Sequence, residues 1–121
     1  MADKRRSLEG VIATIEDGSR IALGGNTLHR APAAAVHELA RQQKRDLELV
    51  KTAGAYDVDL LCGLGCATAV SAGFVGYETV LGLAPLYRRA VETGAVEARA
   101  TIGEISDTLR SVFGEHKEID A

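Results

Sequence analysis

The sequence predicts one α/β domain with an open, mostly parallel sheet flanked by helices. The chain has 121 residues, enough for a single domain, and 46% of them are hydrophobic. Short apolar runs bounded by glycines alternate with amphipathic segments, which is the order of strands and helices in parallel sheets. No repeat or Pro/Ser-rich linker interrupts residues 1–121, so we interpret them as one unit.

The N-terminal elements are predicted from a cap, an apolar stripe and a glycine stop. Ser7 can cap a first helix that ends at Asp17-Gly18. Its buried face is expected to contain Leu8, Val11, Ile12 and Ile15. Arg20 to Leu23 then forms a short strand that leads directly into Gly24-Gly25.

A second helix is predicted near Pro32, because proline suits a first turn, where no amide donor is needed. Its buried stripe is expected to contain Val36, Leu39 and Ala40. The residues expected to face water are His37, Glu38, Arg41 and Gln42.

The second half of the chain continues the alternation. Six elements are expected: strands at 46–51, 68–75 and 96–100, a helical turn at 57–61, a helix that Pro85 opens and that ends just before Gly94, and a last helix over 104–113. In the helix that Pro85 opens, Leu86, Ala90 and Val91 are expected to point inward. The Arg88-Arg89 pair is expected to form surface ion pairs with Glu92, with anion or partner binding as the alternative.

Charge and hydropathy argue against several classes of protein. A net charge of −3 and a pI near 5.6 argue against a nucleic-acid binder. Residues 60–77 carry no charge, but four glycines make this stretch a poor membrane helix and favour buried strands and turns. No export signal is recognisable after the basic residues 4–6, so we expect a cytoplasmic protein.

The most informative local feature is the segment from Gly24 to Pro32. Glycines let backbone amides approach a ligand, and the following helix end adds free N–H groups. Together with Arg30, this segment could hold a phosphate, a carboxylate or a thioester oxyanion. The alternative is that Gly24-Gly25 only makes a tight turn, since the pattern is neither a Walker A loop nor GxGxxG.

Cysteine and histidine provide weaker signals. Cys62 and Cys66 lack the further ligands that a metal site needs and lack a neighbouring cation, so we expect small buried thiols and no metal. His37 and His116 are expected to be solvated. His29 lies beside the glycines and either contacts a ligand or has a structural or solvated role.

The chain resembles the A subunits of the family I CoA-transferases, the glutaconate CoA-transferase type. The resemblance extends over residues 7–99 as an ordered series: DGSRIALGG (17–25), RAP (30–32), ELARQ (38–42), RDL (45–47), DVDLL (57–61), FVGYE (74–78), GLAP (82–85) and RRAVE (88–92). It implies an open α/β fold in which A and B subunits surround a CoA site. Transfer in that family passes through a glutamyl-CoA thioester on a glutamate of the B subunit.

Carried onto this sequence, the resemblance implies that Gly24, Gly25 and Asn26 contact the acyl-CoA and that Arg30, with His29, holds the substrate carboxylate. Asn26 replaces the phenylalanine that the family commonly has. Neither Glu78 nor Glu92 matches the nucleophile, so no catalytic residue is assigned. At less than half the usual A-subunit length, the chain is expected to be an N-terminal portion.

The expected function is therefore an A-type part of a CoA-transferase, with acyl-CoA and a carboxylic acid as substrates. A B-type subunit, or further copies of this chain, would complete the assembly. One alternative is an acyl-CoA hydrolase of the same fold. The other is a non-catalytic CoA-binding or assembly module, since the chain is short and lacks the nucleophile.

Overall fold

The computed structural model describes residues 2–78, 82–99 and 110–114. Within the described residues, helices and strands alternate from Leu8 to Arg99. The helices are α1 (Leu8–Ala13), α2 (Ala33–Arg41), α3 (Tyr56–Gly63) and α4 (Pro85–Glu92). The strands are β1 (Arg20–Ala22), β2 (Leu47–Gly54), β3 (Ala67–Val75) and β4 (Glu97–Arg99).

The four strands form one sheet in the order β1-β2-β3-β4, and every neighbouring pair is parallel. Each helix from α2 to α4 connects two adjacent strands. Right-handed crossovers, the rule for such units, place these three helices on the same face of the sheet. In agreement, α3 contacts both α2 and α4, and α1 packs against α2. The predicted open parallel α/β fold is confirmed.

The hydrophobic core lies between this helical layer and the sheet. From the sheet it contains the fully buried side chains of Leu47, Leu49 and Val70. From the helices it contains those of Val36, Leu39, Val58 and Leu61. Along β2, buried residues alternate with less buried ones from Leu47 to Lys51, because the helical layer covers one face of the sheet.

Three predictions about the first two helices are wrong, two of them about α1. Helix α1 ends at Ala13, before Asp17-Gly18, and of its apolar stripe only Ile12 is buried. The Asp17 carboxylate instead accepts the N–H of Arg45 at 2.8 Å, and Gly18 donates to the Arg45 carbonyl at 3.0 Å. The turn at Asp17-Gly18, which precedes β1, is therefore hydrogen-bonded to Arg45, which precedes β2.

Glu38, expected to face water, is 5% exposed in α2. Its carboxylate lies 2.9 Å from Arg41 and accepts a hydrogen bond from Gln42 at 2.9 Å. Two partners within one helical turn compensate for its desolvation, which sequence periodicity alone does not reveal.

The remaining elements lie close to their predicted positions. The expected turn at 57–61 is a two-turn helix, α3, and Pro85 opens α4 with Gly94 beyond its end at φ +79°. Leu86, expected to point inward, is 43% exposed. Arg88 pairs with Glu92 at 2.9 Å as expected. Residues 110–113 are helical, while 104–109 of the predicted last helix lie outside the described residues.

Four charged side chains cross the sheet as a charge ladder, defined here as Arg20, Glu48, Glu97 and Arg99. The carboxylate of Glu48 in β2 forms ion pairs with the guanidinium of Arg20 on β1 at 3.0 Å and with that of Arg99 on β4 at 2.9 Å. Arg99 also contacts Glu97 at 2.9 Å. The ladder thus joins three strands by ion pairs.

Within the described ranges, no helix is long and apolar enough to cross a membrane.

Candidate functional site

The candidate site lies at the carboxyl edge of the sheet, where β1, β2 and β3 end. Parallel α/β sheets bind ligands at this edge because their connecting loops and helix N-termini converge there. The segment that follows β1, residues 24–30, is called the glycine loop below. The Thr27 N–H donates to the carbonyl of Ala53 at 2.9 Å, which attaches the loop to the end of β2.

Gly25 is sterically required in this loop. It has a φ of +84°, and a Cβ at this position would lie 2.4 Å from the carbonyl oxygen of Arg30. Gly24 is different, because a Cβ there would meet no atom within 4 Å. Only the second glycine therefore owes its identity to a close approach of two backbone segments.

The middle of the glycine loop is a tight turn closed by two backbone hydrogen bonds. Asn26 donates to His29 at 2.9 Å, and His29 donates back to Asn26 at 2.8 Å. The backbone N–H of Asn26 is thus already paired, which leaves its side chain for any ligand. No described residue accepts the N–H of Gly24 or Gly25. Both of these amides are therefore available to a ligand.

Glu78, which follows β3, contacts the glycine loop and was not singled out from the sequence as a site residue. Its carboxylate accepts a hydrogen bond from the hydroxyl of Thr27 and lies 3.4 Å from Nε2 of His29. These contacts span about fifty positions of the chain, so no local pattern could have indicated them. His29 therefore has an acidic neighbour as well as contact with solvent.

Backbone conformations of positive φ concentrate around this loop. Among the described residues, five that are not glycine have positive φ, and three of them are Thr27 (+49°), Arg30 (+55°) and Glu78 (+64°). Such conformations cost free energy and persist where the surroundings impose them. Their clustering supports a site at this edge of the sheet.

Arg30 and the first turn of α2 supply positive charge beside the free amides. The Arg30 side chain is exposed, and α2 begins after Pro32 without a side-chain cap. Uncapped N–H groups carry partial positive charge. A carboxylate, phosphate or thioester oxygen at the loop would therefore meet donors and positive charge.

Beneath the loop lies a buried ion pair that the sequence did not reveal. Lys51 on β2 and Asp57 on α3 have side chains that are 0% exposed, and their charged groups are in direct contact. Lys51 also donates to the carbonyl oxygen of Gly24 at 2.9 Å. This pair connects the core to the predicted ligand-binding glycine.

A second buried carboxylate, Asp59, joins three elements next to the site. It accepts the hydroxyl of Tyr77 and the backbone N–H of Tyr87, each at 2.7 Å. Burial, together with the neighbouring Asp59 carboxylate, raises the pKa of Tyr77 well above its ordinary value. The Tyr77 hydroxyl therefore acts as a donor to Asp59.

The cysteines are buried thiols, as the sequence predicted. Burial raises the pKa of Cys62 to about 12. The expectation that no cation is near is wrong for Cys66, whose Sγ lies 3.5 Å from Nη1 of Arg45. Burial outweighs this contact and raises the pKa of Cys66 as well. No group of metal-ligating residues occurs within the part of the chain that is described.

His37 and Tyr56 form an exposed pair on the helical layer. The Tyr56 hydroxyl oxygen lies 2.7 Å from Nε2 of His37, and the ring centroids are 5.8 Å apart. His37 is exposed, as expected, but has a specific partner. His116 lies outside the described residues.

Comparison with known proteins agrees with this architecture. Residues 5–111 match the family model of coenzyme A transferase. The A subunit of the 3-oxoadipate CoA-transferase from Pseudomonas knackmussii is 42% identical over 94 residues, which are 78% of this chain and 33% of that protein. The IpdA subunit of a cholesterol ring-cleaving hydrolase from Mycobacterium tuberculosis is 35% identical over 99 residues, 82% of this chain and 34% of that protein.

The fold also matches a solved structure. Glutaconate coenzyme A-transferase from Acidaminococcus fermentans superposes with a TM-score of 0.75 at 30% identity, over 88% of this chain and 34% of that chain. The chain thus spans about a third of the length of the relatives it matches. The family match over residues 5–111, the parallel sheet and the glycine loop agree, and the chain belongs to the coenzyme A transferase family.

Proposed function

We propose that this chain is the A-type part of a CoA-transferase that moves CoA between an acyl-CoA and a carboxylic acid. The observation that carries the proposal is the family match over residues 5–111. The 42% identity to the A subunit of a 3-oxoadipate CoA-transferase supports it. Because the chain spans about a third of its relatives' length, the activity and the substrates of the whole protein are part of this proposal. We also propose that a B-type partner, or further copies of this chain, complete the assembly and that the protein is cytoplasmic.

In the proposed reaction, CoA passes from the acyl-CoA to a second acid by way of an anhydride and a glutamyl-CoA thioester. A glutamate carboxylate of the B-type partner attacks the thioester carbonyl, so that an anhydride forms and CoA leaves as a thiolate. The thiolate then attacks the glutamyl carbonyl, which forms the glutamyl-CoA thioester and releases the first acid. The same steps in reverse, with a second acid, complete the transfer without net consumption of water.

In this reaction the glycine loop would bind the acyl-CoA. Gly24 and Gly25 offer amides without described acceptors, and Asn26 offers its side chain. Arg30 and His29 would hold the carboxylate of the acid. The exposed position of Gly25, with Arg30 beside it, supports this assignment. The steric requirement at Gly25 shapes the turn itself, because a Cβ there would meet the Arg30 backbone.

A hydrolase is the second candidate function. The 35% identity to the IpdA subunit of a cholesterol ring-cleaving hydrolase favours it, since this relative of similar sequence is named as part of a hydrolase. In a hydrolase, water instead of a second acid would accept the acyl group.

Reconstitution of the full chain with a B-type chain distinguishes these functions. We would supply succinyl-CoA or acetyl-CoA with ¹³C-labelled acetate, succinate or 3-oxoadipate and separate the products by chromatography. A labelled acyl-CoA product establishes transfer, whereas free CoA formed without any acid establishes hydrolysis. The control is the same complex with the partner's glutamate changed to alanine. Stable assembly with neither product would overturn the enzymatic proposal in favour of an assembly module.

A further inference from the structure

The buried Lys51–Asp57 pair has features that packing alone does not require. Both side chains are 0% exposed and in direct contact. Burying two charges is costly, and well-packed apolar residues often replace such pairs without loss of stability. A buried ion pair beneath a predicted binding loop therefore calls for an explanation beyond the stability of the core.

Each polar group of the pair has a defined partner. Oδ1 of Asp57 accepts the N–H of Ala55 at 3.2 Å and that of Val58 at 2.9 Å, which fixes the carboxylate at the start of α3. Its Oδ2 contacts Nζ of Lys51. Nζ donates in turn to the Gly24 carbonyl at 2.9 Å. A continuous chain of polar contacts thus runs from α3 to the glycine loop.

Because the peptide bond is planar, the contact of Lys51 with the Gly24 carbonyl also sets the direction of the Gly25 N–H. The described chain contains no cis peptide bond. In a trans peptide, the carbonyl of one residue and the N–H of the next point in opposite directions. Because the Gly24 carbonyl points inward to a fully buried Lys51, the N–H of Gly25 points away from the core. Gly25 is exposed, and no described residue accepts that N–H.

We propose that Lys51 and Asp57 are positioning residues that hold the Gly24–Gly25 peptide so that the Gly25 N–H donates to the thioester oxygen of a bound acyl-CoA. The proposal rests on the proposed function of the site. A peptide between two glycines has little steric resistance to rotation. Without the pull of Lys51, it can turn its carbonyl outward, where the oxygen would repel the negative charge that develops on the thioester.

The orientation itself is measurable without any enzyme partner. Nuclear Overhauser effects (NOEs) of the ¹⁵N,¹³C-labelled full chain report on which side of the Gly24–Gly25 peptide the Gly25 amide proton lies. A flipped peptide would change the distances of this proton to the Hα protons of Gly24 and Gly25 and would turn it toward the Lys51 side chain. We expect no NOE between the Gly25 amide proton and the methylene groups of Lys51. Such NOEs, which require the flipped peptide, would overturn the proposal, whether or not the chain binds acyl-CoA.

Substitution of Lys51 and Asp57 tests whether this pair holds the Gly25 N–H in its orientation. In Lys51→Met with Asp57→Asn, both charges are removed and the amide oxygen can still accept the α3 donors. We expect the NOEs of the Gly25 amide proton to change and the order parameter of this N–H to fall. Glu38→Gln is the matched control, since it removes a buried carboxylate whose partners, Arg41 and Gln42, lie at the end of α2, and it should leave these NOEs unchanged. Unchanged NOEs in the folded double variant overturn the proposal, and the wild-type NOEs decide should this variant not fold.

The last measurement links the orientation to substrate. On titration with acetyl-CoA, the Gly25 amide proton should shift more than those of its loop neighbours. In the reconstituted enzyme, the double variant should lower kcat about 10²–10³-fold, the usual cost of losing one oxyanion donor, while the KM for acyl-CoA changes less. Loop shifts that spare Gly25 overturn the inference. A complete lack of shifts and of transfer refutes the proposed function instead, and the NOEs still decide the orientation.

Discussion

Gly24 and Gly25 are adjacent in the chain but differ in what a side chain would meet. At Gly25 a Cβ would lie 2.4 Å from the Arg30 carbonyl oxygen, and the φ of +84° disfavours any L-residue. At Gly24 the surrounding space is open. Steric contact thus requires a glycine at position 25 but not at position 24, and substituting each by alanine tests this difference.

We expect Gly25→Ala to lower the free energy of unfolding by about 1–3 kcal/mol, because the alanine must adopt a disfavoured φ against a close backbone. Gly24→Ala is the matched control and should change it by less than about 1 kcal/mol. Chemical denaturation of both variants measures the difference. Equal losses in the two variants would contradict the steric role of Gly25.

At the scale of elements, Asp59 joins helix α3 to the end of β3 and to the start of α4. Its two carboxylate oxygens each accept one hydrogen bond at 2.7 Å, from Tyr77 and from the backbone of Tyr87. A carboxylate that is 3% exposed is costly unless it is satisfied in this way. The two contacts therefore set the position of α4 relative to the carboxyl edge of the sheet.

Asp59→Ala should lower the free energy of unfolding by about 2–4 kcal/mol, because it leaves the Tyr87 N–H without its acceptor and also removes the partner of Tyr77. Tyr77→Phe removes only the hydroxyl and should cost about 1 kcal/mol. Denaturant titration of the two variants measures both losses. Should Tyr77→Phe cost as much as Asp59→Ala, the contact with Tyr87 would contribute nothing to stability.

At the scale of the whole molecule, the charge ladder links three strands of the sheet through Glu48. The hydrogen bond from Arg20, with further attraction from Arg99, holds the pKa of Glu48 below its ordinary value of 4.5. The contact with Arg99 lowers the pKa of Glu97 in the same direction. Both carboxylates therefore favour the folded state when they are ionised.

A lowered pKa in the folded state gives stability that is present above the ordinary glutamate pKa and is lost as the pH falls through the folded value. We expect the denaturation midpoint to fall as the pH is lowered from about 6 to about 3, and Glu48→Gln to flatten this dependence. Glu16→Gln, at an exposed position without a described ion pair, is the control. Since the ladder is partly exposed, added salt should also weaken the effect. An unchanged pH profile in Glu48→Gln would refute the ladder's contribution.

Local signals in the sequence predicted much of this fold. The alternation of apolar runs with amphipathic segments predicted the parallel α/β sheet, and Pro32, Pro85 and Gly94 placed helix ends within about a residue. The glycine loop was also predicted, because glycines between a strand and a helix are visible in the sequence itself. The end of helix α1 and the burial of Glu38 were not, since they depend on neighbours rather than on spacing.

The sequence alone therefore determined the fold class, the family resemblance and the position of the loop. The tertiary structure decided which chemical groups surround that loop. Lys51 lies 27 positions from Gly24 and Glu78 lies 51 from Thr27, and the parallel sheet brings each pair into contact. The first contact joins the segment that follows β1 to the neighbouring strand β2, and the second joins the segments that follow β1 and β3, on either side of β2. The separation of these strands along the chain is set by the crossover helices. No local pattern encodes these contacts, because the physical interaction exists only once the sheet has formed.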